Sequence, residues 1–114
     1  MNTRVLVLRG GGQVSIDEKG YLLDPNDWSE EVTLTMAAAD KVQLTDDHWL
    51  VLMIFRDYHE QFEIEPPMRA LVKRTREALG EEKGTSRYLY RLFPDGPGTQ
   101  GCRYAGLPRP LSCV

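Results

Sequence analysis

The chain has 114 residues, 14 Lys and Arg against 17 Asp and Glu for a formal net charge of −3, and two cysteines. That length suits one domain around one core. No apolar run approaches the ~20 residues of a membrane-spanning helix, and the negative balance opposes sequence-independent binding to nucleic acid or anionic lipid. The one N-terminal apolar run, Val5-Leu6-Val7-Leu8, is too short for a signal peptide and ends at Arg9, so a cytoplasmic protein is expected.

In chain order, Val5 to Leu23 reads as a small antiparallel β unit. Val5/Val7 and Val14/Ile16 alternate with their neighbours as half-buried strands do. Gly10-Gly11-Gly12 is read as closing the hairpin, because Gln13-Val14 follows where a phosphate loop would need Lys and Ser or Thr. Asp17-Glu18-Lys19-Gly20 is a turn, and Tyr21-Leu22-Leu23 resumes the extended run.

Helices follow. Asp24-Pro25 and Ser29-Glu30-Glu31 are helix starts, and Trp28, Val32, Met36 and Ala39 form the apolar stripe. Thr45 caps the next helix, with Leu44 placed to pack on Trp49 as a hydrophobic staple. Val51, Ile54, Phe55, Tyr58 and Phe62 then recur at helical spacing. Pro66-Pro67 breaks that helix and starts a third, which buries Met68, Leu71, Val72 and Leu79 and stops at Gly80. Thr85 or Ser86 caps a short fourth helix ahead of Pro94, and Pro97 opens a fifth that carries Cys102 and ends near Gly106. The expectation is a mainly α domain over 1–114: a β unit at 1–23, a bundle of about five helices at 24–101 and a cysteine-bearing arm at 102–114.

Three groups of side chains invite a chemical reading. His48 and His59 lie eleven positions apart on one helix. Metal-binding pairs sit three or four apart, so no metal and no cofactor is expected. Arg69, Lys73 and Arg76 form a basic stripe on the third helix, with Arg74 close by. Such a stripe reads as a solvated face, as a docking surface for an acidic protein, or as part of a helix-turn-helix; nucleic acid is the least favoured. The third group is the C-terminal stretch with both cysteines, Cys102 and Cys113. Behind Gly106, Pro108 and Pro110 no regular helix continues, and Gly106 to Cys113 spans about 23 Å at ~3.3 Å per residue. A buried Cys102 and a structural disulfide are the bland readings, the latter worth roughly 3 kcal/mol. A reversible thiol pair on a reaching arm fits the composition better.

Gly20-Tyr21-Leu22, Leu44-Thr45-x-x-His48-Trp49, Phe55-Arg56-Asp57-Tyr58, Pro67-x-Arg69-x-Leu71-Val72-Lys73, Arg87-Tyr88-Leu89-Tyr90-x-Leu92-Phe93-Pro94-x-Gly96-Pro97 and Gly101-Cys102-Arg103-x-Ala105-Gly106-Leu107-Pro108-Arg109-Pro110-x-x-Cys113-Val114 together resemble the DsrC/TusE family of sulfur-relay proteins, from about Val14 onward. The resemblance implies a helical bundle with an N-terminal hairpin and a mobile C-terminal arm. It implies that Cys113 takes sulfur as a persulfide from an upstream sulfurtransferase, and that Cys102 acts as resolving thiol. The chain would then be a protein substrate for other enzymes, not a stand-alone catalyst. Members with both cysteines work with dissimilatory sulfite reductase or a membrane-complex thiol/disulfide reductase, so that branch is expected, with the tRNA 2-thiouridine relay as the alternative and a redox-responsive regulator behind it. Arg103 beside Cys102 and Arg109 near Cys113 are expected to favour thiolates.

Overall fold

The computed structural model describes residues 3–110. Two antiparallel strands, β1 (Arg4–Val7) and β2 (Gln13–Ile16), pair from Arg4↔Ile16 to Val7↔Gln13. Gly11 takes φ 98° in the connecting loop, where the Leu8 N–H donates to the Gly12 carbonyl at 2.7 Å and the Gly11 N–H to the Leu8 carbonyl at 3.0 Å. The Glu31 carboxylate accepts from the Gly10 N–H and ties this loop to the first helix. After the Asp17–Gly20 turn the chain returns along β2, but its expected third strand shrinks to one bridge, Ile16↔Leu22.

The inward face of β1 is the opposite of the one expected. Val5 and Val7 are exposed, while Leu6 and Leu8 pack on the core. Residues directly opposed in a hairpin share a face. Leu6 opposes Val14, and Val14 with Ile16 points inward, so Leu6 must follow them.

A 3-10 turn at Pro25–Asp27, capped by Asp24, leads into α1 (Glu30–Ala39), whose Ser29 cap accepts from the Val32 N–H. The stripe of α1 is centred on Val32, Thr33, Met36 and Ala37; Ala39 is exposed. Thr33 is drawn inward because its hydroxyl donates to the Tyr104 carbonyl at 2.5 Å. Helix α2 (Asp46–Phe62) opens on a capping box in which His48 stands where Glu or Gln is usual: Thr45 accepts from the His48 N–H, and His48 Nδ1 accepts from the Thr45 N–H at 3.1 Å. Leu44 and Trp49 are both half-buried against the core. Val51, Leu52 and Phe55 have no exposure, and each contributes roughly 1.5–3 kcal/mol of burial. Phe62 ends the stripe outside it, exposed and packed against Tyr58 with ring centroids 4.5 Å apart and the ring planes tilted by 45°.

Glu63, at φ 61°, and the two prolines turn the chain into α3 (Met68–Leu79), for which Pro67 is the cap rather than the first helical residue. Gly80 ends it, and Gly84 lets the next loop press against Arg76, where a Cβ would stand 2.3 Å from the Arg76 Cβ. Thr85 caps α4 (Ser86–Leu92), and α5 (Pro97–Tyr104) follows Gly96. Helix α5 packs against α1, α2 and α4. It approaches α2 so closely that a Cβ on Gly101 would lie 2.5 Å from the Phe55 ring.

This placement corrects the expected boundary between core and arm. Cys102, Tyr104 and Ala105 have no exposure and Leu107 has 5%. Residues 102–107 belong to the core, because α5 is its central helix and not the start of a tail.

Candidate functional site

The site is built around the two ends of the segment that joins Cys102 to Cys113. Cys113 lies outside the described residues, as do the other residues of 111–114. Cys102 sits on α5 with no solvent exposure.

The end of α5 is closed by its own backbone. The Leu107 N–H donates to the Cys102 carbonyl at 2.9 Å and the Gly106 N–H to the Arg103 carbonyl at 3.2 Å, with Gly106 at φ 75°. This is a Schellman stop, and buried Leu107 supplies its hydrophobic contact. Glycine is required at 106 twice over, since a Cβ there would also stand 2.4 Å from the Trp28 ring. Three side chains then hold the last carbonyls. Trp28 Nε1 donates to the Tyr104 oxygen at 3.0 Å, Thr33 donates to the same oxygen, and Arg56 donates to the Ala105 oxygen at 2.6 Å. The Arg56 guanidinium also lies 3.9 Å from the centre of the Trp28 ring. Burial pulls the Arg56 pKa below its ordinary value, against the opposing pull of Glu60 and Asp57. The Gly106–Pro110 stretch is therefore not free along its whole length, as the sequence suggested. Gly106 and Leu107 are fixed, and the chain leaves the core at Pro108.

The two arginines expected to favour thiolates are both held by carboxylates. Arg103 meets Asp40 at 2.7 Å, and the same Asp40 oxygen accepts from the Tyr104 hydroxyl at 2.7 Å. Burial and that carboxylate push the Tyr104 pKa far above its ordinary value. Gln100 completes the buried chain, donating to the Tyr104 hydroxyl at 3.0 Å and accepting from the Asp95 N–H at 2.9 Å. Arg109 meets Asp17 at 3.2 Å, its guanidinium 5.8 Å from the centre of the Tyr21 ring. Burial raises the Asp17 pKa, but hydrogen bonds from the Tyr21 and Lys19 N–H groups and from Arg109, together with the Arg109 charge, outweigh it and hold the carboxyl below its ordinary value. Arg103 and Arg109 share the lining of one cleft of about 410 Å³ with Lys19, Tyr21 and Asp95. Pro110 is buried in an adjoining groove of about 350 Å³ beside Pro66, Met68 and Tyr90.

Arg69, Lys73 and Arg76 are brought together elsewhere, on the exposed side of α3, where they line an open cleft with Met68, Val72 and Thr85. No carboxylate among the described residues lines that cleft, and Arg76 donates to the Gly84 carbonyl at 3.1 Å. His48 is structural: besides its capping bond, Nε2 donates to the Leu92 carbonyl at 2.8 Å, which makes the ring the neutral tautomer. Desolvation lowers its pKa, against raising contributions from the Leu92 carbonyl and Asp47. Asp17, Thr33 and Asp40 are the residues sequence reasoning missed. Their partners lie 63 to 92 positions away, and no local pattern encodes such pairs. Tyr21 and Arg56 fell inside the motifs of the resemblance, though without a role.

Comparison with known proteins agrees with this architecture. The family described as DsrC like protein matches residues 9–114. The NMR structure of DsrC from Allochromatium vinosum is 45% identical, with a TM-score of 0.85 over 98% of this chain and 99% of that one. The oxidized gamma-subunit of the dissimilatory sulfite reductase (DsrC) from Archaeoglobus fulgidus is 35% identical, with a TM-score of 0.88 over 97% and 100%. Sulfurtransferase TusE of Photorhabdus laumondii is 41% identical over 110 residues, 96% of this chain and 99% of its own length. Sulfurtransferase TusE of Escherichia coli K12 is 42% identical over 104 residues, 91% and 95%. The chain belongs to the DsrC family. Within it, the chain is a sulfur-relay protein of the DsrC/TusE type.

Proposed function

We propose that this protein carries sulfur on Cys113, in the cytoplasm, between an upstream persulfide-donor sulfurtransferase and a downstream acceptor protein. The observation that carries this reading is the complete enclosure of Cys102 on a helix with a closed end. A thiol with no exposure is a poor first acceptor from another protein's persulfide, which leaves Cys113 for that role. In loading, the Cys113 thiolate attacks the outer sulfur of the donor's persulfide, and the donor cysteine leaves as a thiolate that takes up a proton. The product is a Cys113 persulfide with no net oxidation.

The relatives named sulfurtransferase TusE favour a relay toward tRNA 2-thiouridine over the sulfite reductase pathway. A second reading has its own support: the chain has a second cysteine eleven positions upstream of the first acceptor, and it resembles a sulfite reductase gamma-subunit. In that reading the Cys102 thiolate attacks the Cys113 sulfur bearing the load, hydrosulfide leaves, and an internal disulfide remains. The two Cα atoms must then come within ~4.4–6.8 Å, and the cover over Cys102 must open.

Incubation with a persulfide donor followed by peptide mass spectrometry tests the carrier role. The C-terminal peptide gains about 32 Da per sulfur, and Cys113→Ser loses the gain. Retention of the adduct in Cys113→Ser overturns the assignment. Cys102→Ala separates the readings: a tRNA-thiolation relay still delivers its sulfur, whereas the sulfite reductase pathway stalls with the persulfide intact.

A further inference from the structure

Between the closed end of α5 and the end of the described chain, the backbone passes over the Asp17–Gly20 turn. That turn is built to present one oxygen. Asp17 Oδ1 is occupied twice, accepting from the Lys19 N–H at 2.8 Å and the Tyr21 N–H at 3.0 Å. The carboxylate is thereby fixed in rotation, and Oδ2 is left for Arg109 at 3.2 Å. The neighbouring Tyr21 is 5% exposed and its hydroxyl donates to the Thr99 carbonyl at 3.3 Å, which ties the turn to the first turn of α5. Arg109 therefore meets a rigid post, with a carboxylate in front and an aromatic ring beside it. The post and the core share α5, so the post does not move when the arm does.

We infer that Asp17, backed by Tyr21, is a positioning residue for the sulfur-bearing arm: it holds Arg109, and release of that hold sets how far Cys113 reaches. This rests on the reading that Cys113 bears the sulfur. With Arg109 on its post and Pro110 in its groove, Cys113 lies three steps beyond the last described residue, a span of at most ~10 Å at ~3.3 Å per step. Released, the arm is held first at Leu107, and six residues give ~20 Å. The size of the interaction fits a catch that opens. The two side chains keep 42% and 25% of their exposure, and a pair this accessible biases an equilibrium by about two- to fivefold. That favours the held state without locking it.

The test compares wild type, Asp17→Asn, Arg109→Ala and Arg109→Lys. Asp17→Asn keeps a carbonyl oxygen for the two turn hydrogen bonds and replaces the charged acceptor facing Arg109 with a neutral NH2 donor. Two readouts are taken: heteronuclear NOE values at the backbone N–H groups of residues 109 and 111–113, the prolines having none, and sulfur uptake by Cys113 from glutathione persulfide or from a persulfide-loaded sulfurtransferase. The expected result is lower NOE values in Asp17→Asn and Arg109→Ala, near-wild-type values in Arg109→Lys, and convergence of all four in 1 M salt, where the screening length is about 3 Å. Uptake from the protein donor should rise about 1.5- to threefold in the two released variants, as the released fraction grows to about one-half, while uptake from glutathione persulfide, which needs no reach, stays equal. NOE values alike in all four proteins at low salt overturn the inference. So does a change in NOE with protein-donor uptake unchanged. If wild type takes sulfur from neither donor, the carrier reading falls, and the NOE series alone decides whether the catch exists.

Discussion

Helices α3 and α5 solve opposite problems. In α3, twelve residues hold two buried side chains, Leu71 and Thr75, and the exposed side carries the cations. In α5, five of eight residues are buried: Pro97, Gln100, Gly101, Cys102 and Tyr104. The composition follows. The α3 sequence MRALVKRTREAL is rich in intrinsic helix formers, whereas PGTQGCRY is poor in them. The helix that carries Cys102 is stable because its neighbours close around it, and its thiol is enclosed for the same reason. The surface of α3 has no such dependence and is open to change at little structural cost.

The sharpest way to break this contrast is Gly101→Ala. The added Cβ would stand 2.5 Å from Phe55, whose ring has no room to yield, so a loss of about 3 kcal/mol is expected in urea unfolding. An alanine at a solvent-facing position of α3, such as Arg69→Ala, should stay within about 0.5 kcal/mol of wild type.

A smaller effect is expected from pH. His48 links the start of α2 to the end of α4 as a neutral ring, and its folded pKa is lowered, mainly by desolvation. Between that lowered value and the ordinary 6.5 the unfolded chain binds more protons, so stability is fully present above 6.5 and declines as pH falls through the folded pKa. A melting-temperature series from pH 8 to 5 checks this. His48→Gln should flatten the decline while lowering stability at every pH.

Thr75 probes the buried side of α3. Its hydroxyl is buried and has no hydrogen-bond partner among the described residues. Thr75→Val should therefore be neutral or stabilising, by about 1 kcal/mol, in the same urea assay.

Least change in stability is expected from reversing the stripe itself. Arg69→Glu with Lys73→Glu should leave unfolding within about 0.5 kcal/mol. Binding to an acidic protein partner should weaken, and the difference should narrow as salt rises. Titration of a DNA duplex by wild type at physiological salt serves as the control; tight sequence-specific binding abolished by the pair would favour the regulator reading.

What the sequence disclosed divides along the same line. Helix starts at Ser29, Thr45 and Thr85, and stops at Gly80 and Gly106, were legible because capping chemistry is complete within a few neighbouring residues. The inward face of β1 was not, because it follows from pairing with β2 and not from the alternation of Val5 and Val7. Pro97 and Gly106 mark the ends of helix α5, yet a buried Cys102 stays only one of several readings in the sequence, since short, glycine-rich segments give no clear apolar period. Of the tail, the residue types alone stood in the sequence, Cys102 and Cys113 with Arg103 and Arg109 near them. Its anchoring did not, because Trp28, Thr33, Arg56 and Asp17 reach it from 49 to 92 positions away.

The Schellman stop at Gly106 also makes the molecule modular in one dimension. Everything up to Leu107 is bonded back into the domain, so residues inserted between Leu107 and Pro108 would lengthen the tether and shift Arg109 and Pro110 from their partners, while the helical core stays as it is. Each adds up to ~3.3 Å of span, and the entropic penalty grows only logarithmically with length. No comparable adjustment is available to Cys102, which moves only if α5 moves. A change of length there would alter where the far end of the arm can stand, while Cys102 stays a fixed reference point.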